Sequence, residues 1–275
     1  MANRGKKARK IKIIIGLVIL IIVVILSQKG FIPIDEDSNS NEMSNKITAE
    51  ESENILQIHF FDVGQADSTL IISDKKTMLI DAGTNEMGEK VVENIKKLGI
   101  ERIDYLIGTH PHEDHIGGLD DVIKNFEIGI IYMPKIQTNT KTFEDVLDAI
   151  VEKNLTITIP KKGEKFILGK AECEIMLCGT GTKEEKENEH SRTWTKVNVL
   201  KVGHHGSDTS SSVKFLEQVE PQIAIISVGK NNTYGHPKQV ILDRLNKIGS
   251  VVYMTKDKGN ILIESDGVNN KVSFY

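Results

Sequence analysis

Cysteine is scarce in this chain of 275 residues: Cys173 and Cys178 are the only two. They lie five positions apart on one short segment, where a strand would point them to opposite faces, a poor geometry for a disulfide. A disulfide scaffold is thereby excluded, and both read as core thiols. Tryptophan is scarcer still, with Trp194 alone. No internal repeat is visible, which leaves out repeat architectures. An excess of positive charge is also missing. The formal net charge is −4, and residues 1–12 hold six basic groups (Arg4, Lys6, Lys7, Arg9, Lys10, Lys12) and no acid, so the remainder carries 29 basic against 39 acidic residues. An acidic body does not attract polyanions over its whole surface, so any handling of nucleic acid falls to a local site. Hydrophobic residues at 39% and charged residues at 27% are ordinary for a globular chain with room for one large domain or two small ones.

The one long hydrophobic run is at the N-terminus. Residues 13–27 read IIIGLVILIIVVILS. With Ile11 and a snorkelling Lys12 the run reaches about 17 residues, the short end of a membrane span. Basic residues precede it, so the positive-inside rule leaves the N-terminus in the cytoplasm and the body extracytoplasmic, on a single-pass anchor in the cell membrane. The alternative is a signal peptide and a secreted product, but Leu26-Ser27-Gln28-Lys29-Gly30 lacks a convincing small-x-small cleavage site. The expected organisation is a basic N-terminus and anchor over 1–28, a polar linker over 29–54 rich in Ser, Asn, Asp and Glu, and a folded domain over 55–275.

Within that domain the apolar segment ILQIHFF (from Ile55) predicts a strand, Asp62–Asp67 a turn, and STLIIS and TMLIDAG two further strands. Glu89–Leu98 has helical spacing and ends at Gly99. DYLIGT is a buried strand, Ile116–Phe126 a helix, IGIIYMP a strand and Thr142–Glu152 a helix. Short strands are expected at Thr156–Ile159, Lys165–Leu168 and Glu174–Leu177. The pattern then fails for some 18 residues, GTGTKEEKENEHSRTWTK. VNVLKVG follows as a strand, Ser212–Val219 as a helix and QIAIISVG as a strand. A helix opening at His236-Pro237 runs through Lys247, and VVYM, NILIES and KVSFY close the chain as strands. Strand meanders at both ends with helices between them predict an α+β fold of two facing sheets with helices outside.

The chemistry is concentrated at the end of DYLIGT, in His110-Pro111-His112-Glu113-Asp114-His115. In extended backbone, residues two apart point the same way, so His110 and His112 can grip one metal. Asp114 and His115 follow at a helix start and can turn to a second. Imidazole with carboxylate suits zinc, with manganese or iron as alternatives. Glu113 is expected to be exposed and is not assigned a role. A second cluster, Gly203-His204-His205-Gly206-Ser207, ends the strand VNVLKVG, and its glycines permit close backbone approach.

TLIISDKKTMLIDAG, THPHEDHIGG, LKVGHHGSDTSSS and SVGKNNTYGHP together resemble the metallo-β-lactamase fold superfamily. FDVGQADS at Phe61–Ser68 resembles the opening signature of one branch, the hydrolase domain of ComEC-type DNA-uptake channel proteins and its free-standing relatives. The resemblance runs from about Ile55 to Tyr275. It implies a four-layer αββα sandwich with two zinc ions, or manganese, at one edge between the sheets. It implies that Asp81 orients the histidine loop, and that His204 or His205 supplies a later ligand, the other being structural. His236 is similar to the final motif histidine and is a further candidate metal residue. Asp62, Gln65 and Asp67, with Ser207, are substrate-side candidates near the mouth. The large channel is absent, so no transport role is implied, and no protein partner can be inferred.

The sequence departs from this pattern after Cys178. The family carries an extra stretch there, ending in a Thr-Gly-Asp turn whose aspartate is expected to bridge the two metals, and this chain has no Gly-Asp pair anywhere. Two cations without a shared anion repel more strongly, so one site is expected to be weak or empty. The second half is expected to be shortened, leaving an unpaired strand edge or a hole that Trp194 could plug. Asp208, Glu187 or Glu189 could replace the aspartate, though nothing in their spacing argues for it. Two readings follow. One is a membrane-anchored, extracytoplasmic metal-dependent hydrolase of phosphodiesters in DNA or nucleotides, catalytic through Asp114 and Asp81, with metal on His110, His112, Asp114, His115 and one of His204/His205. The other is a degenerate, non-catalytic metal-binding domain.

Overall fold

The computed structural model describes residues 11–16, 23–25, 55–136, 138–177 and 194–275. The remainder of the apolar N-terminal run, the linker and the charged segment 178–193 lie outside them. Ile11–Gly16 has strand backbone parallel to Ala171–Leu177, and Val23–Ile25 pairs antiparallel with it. Among the described residues no helix is long and apolar enough to cross a membrane.

Eight strands form the first sheet: β1 (Leu56–Phe60), β2 (Ser68–Ser73), β3 (Lys76–Ala82), β4 (Arg102–Ile107), β5 (Glu127–Tyr132), β6 (Ile157–Thr158), β12 (Ile261–Ser265) and β13 (Asn270–Phe274). Their order is β13-β12-β1-β2-β3-β4-β5-β6, antiparallel as far as β3 and parallel beyond it. The second layer is divided. β7 (Lys165–Leu168) pairs antiparallel with β8 (Ala171–Leu177). β9 (Val199–Lys201), β10 (Ile223–Ile226) and β11 (Val251–Met254) form a separate parallel sheet. Among the described residues no ladder joins β8 to β9.

Alternation along the strands builds the layers. In β2, Ile71 enters the core between the sheets while Leu70 faces the outer helices; Ile80/Leu79 in β3 and Ile107/Leu106 in β4 do the same. The helix-side core takes Val91, Val92 and Ile95 from α1 (Gly88–Lys97), Val122 and Ile123 from α3 (Leu119–Asn125), and Phe143, Val146 and Ile150 from α4 (Lys141–Glu152). Beyond the second sheet, Leu200, Ala224 and Ile226 meet Phe215 and Leu216 of α5 (Val213–Val219) and Ile241 and Leu245 of α6 (Gln239–Lys247). Helix, sheet, sheet, helix is the four-layer order expected. Trp194 is buried in this third core, edge-on to Phe215 with ring centroids 5.2 Å apart. Cys173 is buried and free between the sheets, and burial pushes its thiol pKa up.

Two expected helices differ in detail. The one anticipated over Ile116–Phe126 is two, α2 (Glu113–Ile116) and α3, broken at Gly117-Gly118. A Cβ on Gly117 would lie 2.2 Å from the backbone nitrogen of Asn85, and one on Gly118 2.5 Å from the carbonyl oxygen of Ala82. The glycines are therefore where the histidine segment presses on the turn after β3. The helix expected from His236-Pro237 starts at Gln239, because Lys238 donates its backbone N–H to Gly206 and Pro237 packs on Gly206. Gly117→Ala, whose helical φ suits alanine, is expected to cost about 1–3 kcal/mol through the clash alone. A urea-unfolding midpoint equal to wild type would contradict this packing.

Candidate metal centre

The site begins with Asp81, at the end of β3. It is buried with φ 57°, a left-handed conformation that aspartate tolerates better than most side chains. The parallel register Ile80↔Ile107 sets it beside the end of β4. Asp81 Oδ1 accepts the backbone N–H of Thr109 at 2.8 Å, and Oδ2 accepts the Thr109 hydroxyl and faces His115 Nδ1, both at 2.7 Å. A hydroxyl that donates to Asp81 can accept, and Thr109 Oγ1 lies 3.1 Å from His110 Nδ1. Both imidazoles thus place their Nδ1–H against fixed acceptors and present Nε2.

His205 reaches the same place from the second half. It follows β9 in a tight turn in which His204, His205 and Gly206 have φ values of 52°, 54° and 80°. His205 Nδ1 donates to the Ser227 carbonyl at 2.8 Å, and Nε2 lies 3.3 Å from Asp114 Oδ2. His115 Nε2 lies 3.3 Å from the same oxygen and is buried without a hydrogen-bond partner. One carboxylate oxygen and two Nε2 atoms converge, and an orphaned buried ring nitrogen among them is what a cation site without hydrogen-bond donors requires. The residues fit a divalent metal. The side chains of His115 and His205 are almost wholly buried, whereas that of Asp114 is 35% exposed and opens to solvent.

Asp67, His115 and His205 also bring ligand atoms within 4.8 Å of one another. Ring direction divides this group, since Asp67 faces Nδ1 of both histidines, at 3.8 and 3.6 Å, and those nitrogens already have acceptors. Asp67 Oδ1 is also 2.6 Å from Lys201 Nζ. Asp67 therefore lies behind the ligands. Its expected place at the mouth is corrected, and Lys201 is a site residue that sequence reasoning missed.

Of the other expected residues, His110 and His112 continue the cluster: their rings are 4.7 Å apart, and His110 is 3.8 Å from His115. His204 is turned away, 3.1 Å from the Thr209 hydroxyl, with its ring 5.8 Å from His236. The His236 backbone is held at both N–H and C=O by Asn232. Asp62 accepts Gly64 N–H within its own turn, and Gln65 accepts Gly229 N–H. Ser207 is buried against Thr209. These three hold loops together around the site.

Burial would raise the carboxyl pKa of Asp114, but the facing imidazoles of His115 and His205 outweigh it and hold it well below the usual range. Burial alone would lower that of His115, but Asp81, Asp114 and Asp67 push it up to about 9.

Residues 61–181 match the sequence model of the metallo-beta-lactamase superfamily. Over that stretch the chain carries a metallo-beta-lactamase domain, a superfamily of metal-dependent hydrolases. ComE operon protein 3 of Bacillus subtilis is 28% identical over 251 residues, covering 74% of this chain and 32% of the relative. Recombination protein 2 of Haemophilus influenzae is 29% identical over 225 residues, covering 75% and 28%. The chain spans about a third of the length of these relatives. Among solved structures, a diphosphatase of the PhnP family is 16% identical with a TM-score of 0.43, covering 74% of this chain and 87% of that one.

In this metallo-beta-lactamase domain, Thr109→Val is expected to weaken metal binding about 10–100-fold by freeing His110 Nδ1 and removing one of the two Thr109 bonds that orient Asp81, as chelator competition would show. A raised folded pKa stabilises below the unfolded value and loses that contribution as pH rises through the folded one. The share of the metal-free protein's stability due to His115 is therefore expected to be full below about pH 6.5 and to fade towards pH 9. Metal affinity should rise over the same window, because metal displaces the proton. Affinity independent of pH between 6.5 and 9 would contradict the His115 environment.

Proposed function

We propose that this domain hydrolyses phosphodiesters, with Asp114, His115 and His205 as the principal metal ligands and His110 and His112 as a second, poorer pair. The observation that carries the reading is the convergence of two Nε2 atoms on one Asp114 oxygen from opposite halves of the fold. A divalent ion held there, zinc or manganese, supplies Lewis acidity toward a phosphoryl oxygen and a water nucleophile at neutral pH.

The chain's own residues do the rest. Asp81 and the Ser227 carbonyl fix the ring orientation of His115 and His205. Thr109 links His110 to the same carboxylate. Asp114 is the exposed member, so the scissile group approaches from its side. The similarity to Recombination protein 2 supports nucleic acid or a nucleotide as substrate, and the apolar run after a basic N-terminus supports a membrane-anchored, extracytoplasmic domain.

A second reading has its own observation. The sequence lacks the Gly-Asp pair that would bridge two metals, which favours a metal-binding domain without turnover. Elemental analysis of the purified protein beside a His112→Ala, Asp114→Ala double variant, with a generic phosphodiester assay, separates the two. The hydrolase reading expects at least one equivalent of metal and hydrolysis, both lost in the variant. Equal substoichiometric metal in both proteins without turnover would overturn it.

A further inference from the structure

Lys201 is the only lysine among the buried residues described, 1% exposed between Leu200 and Val202 in an otherwise apolar strand. An ammonium there needs an anion. Its Nζ lies 2.6 Å from Asp67 Oδ1 and donates to the Val202 carbonyl at 3.3 Å. Asp67 belongs to the other half, in the turn between β1 and β2. Its backbone N–H donates to the Asp114 carbonyl, and its own carbonyl accepts Gly83 N–H, both at 2.9 Å. One aspartate thus grips the histidine segment, the turn after Asp81, and the strand leading to His205.

Among the described residues β9 has a ladder partner only in β10, and no ladder joins β9–β11 to the eight-stranded sheet. Backbone hydrogen bonding between the sheets therefore does not set where His205 stands relative to Asp114 and His115. A buried ion pair contributes little net stability, yet its best-attested use is to fix register.

We propose that Asp67 and Lys201 are positioning residues, a staple that holds the His205 turn of the second half against the Asp114–His115 segment of the first and so sets the spacing of the metal ligands. The inference rests on the ligand assignment above. Neither residue acts on substrate.

The test uses the full chain loaded with Co²⁺, read by its visible ligand-field spectrum and by chelator competition, with urea unfolding of the metal-free protein alongside. The double variant Asp67→Asn, Lys201→Met removes both charges together, so the net charge beside the metal site is unchanged. Asp67→Glu keeps both charges and shifts the carboxylate by one methylene, and it decides the case should the double variant not fold. Both are expected to bind cobalt at least about tenfold more weakly, with displaced bands. If His205→Ala abolishes the cobalt spectrum while both pair variants keep wild-type affinity and bands, the staple is overturned and the ligand assignment stands. A cobalt spectrum that survives His205→Ala overturns the assignment and the staple with it.

Discussion

The buried carboxylate of Asp81 is the contact on which the rest of this site depends. It accepts from Thr109 twice and from His115, and through the Thr109 hydroxyl it reaches His110. One left-handed aspartate at a strand end thereby converts a flexible run of histidines into a set of rings with fixed tautomers. The glycines at 117 and 118 serve the same end. They let the histidine segment close onto the turn that carries Asp81, where any side chain would meet backbone.

The second half brings His205 to this preassembled surface. Among the described residues β8 and β9 are not neighbours in one ladder. Packing takes over part of that task. Val199 and Ile225 enter the core between the sheets, and Trp194 fills space beside Phe215 behind the second sheet. The left-handed turn at His204-His205-Gly206 then points one histidine inward and the other toward His236, which answers a choice that the doublet His-His leaves open in the sequence. Three consecutive residues at positive φ, two of them not glycine, are the kind of strain that persists only where surrounding structure over-determines it.

Much of this was legible because the ligands are local. Four side chains of metal-ligand type within six residues at a strand end, and alternating apolar strands around them, carry their meaning in short-range pattern. Most element positions followed from the same short-range pattern, and the four-layer order from the succession of strands and helices together with the family resemblance. What was not legible depends on distant partners. Asp67 reads as a turn residue, and turns are usually at the surface; its burial follows from Lys201, 134 positions away by the numbering. The signal available was one lysine inside the apolar strand VNVLKVG, a charge that burial would oblige to find an anion. Gly117-Gly118 looks tolerable inside a helix until the backbone at residues 82–85 is known to lie against it.

The central claim is that His205, and not His204, completes a metal site begun by Asp114 and His115. X-ray absorption at the metal edge of protein loaded with one equivalent of zinc tests it most directly. A mixed imidazole and carboxylate shell is expected, losing one imidazole in His205→Ala and unchanged in His204→Ala. Loss of an imidazole in His204→Ala, with His205→Ala unaffected, would contradict it.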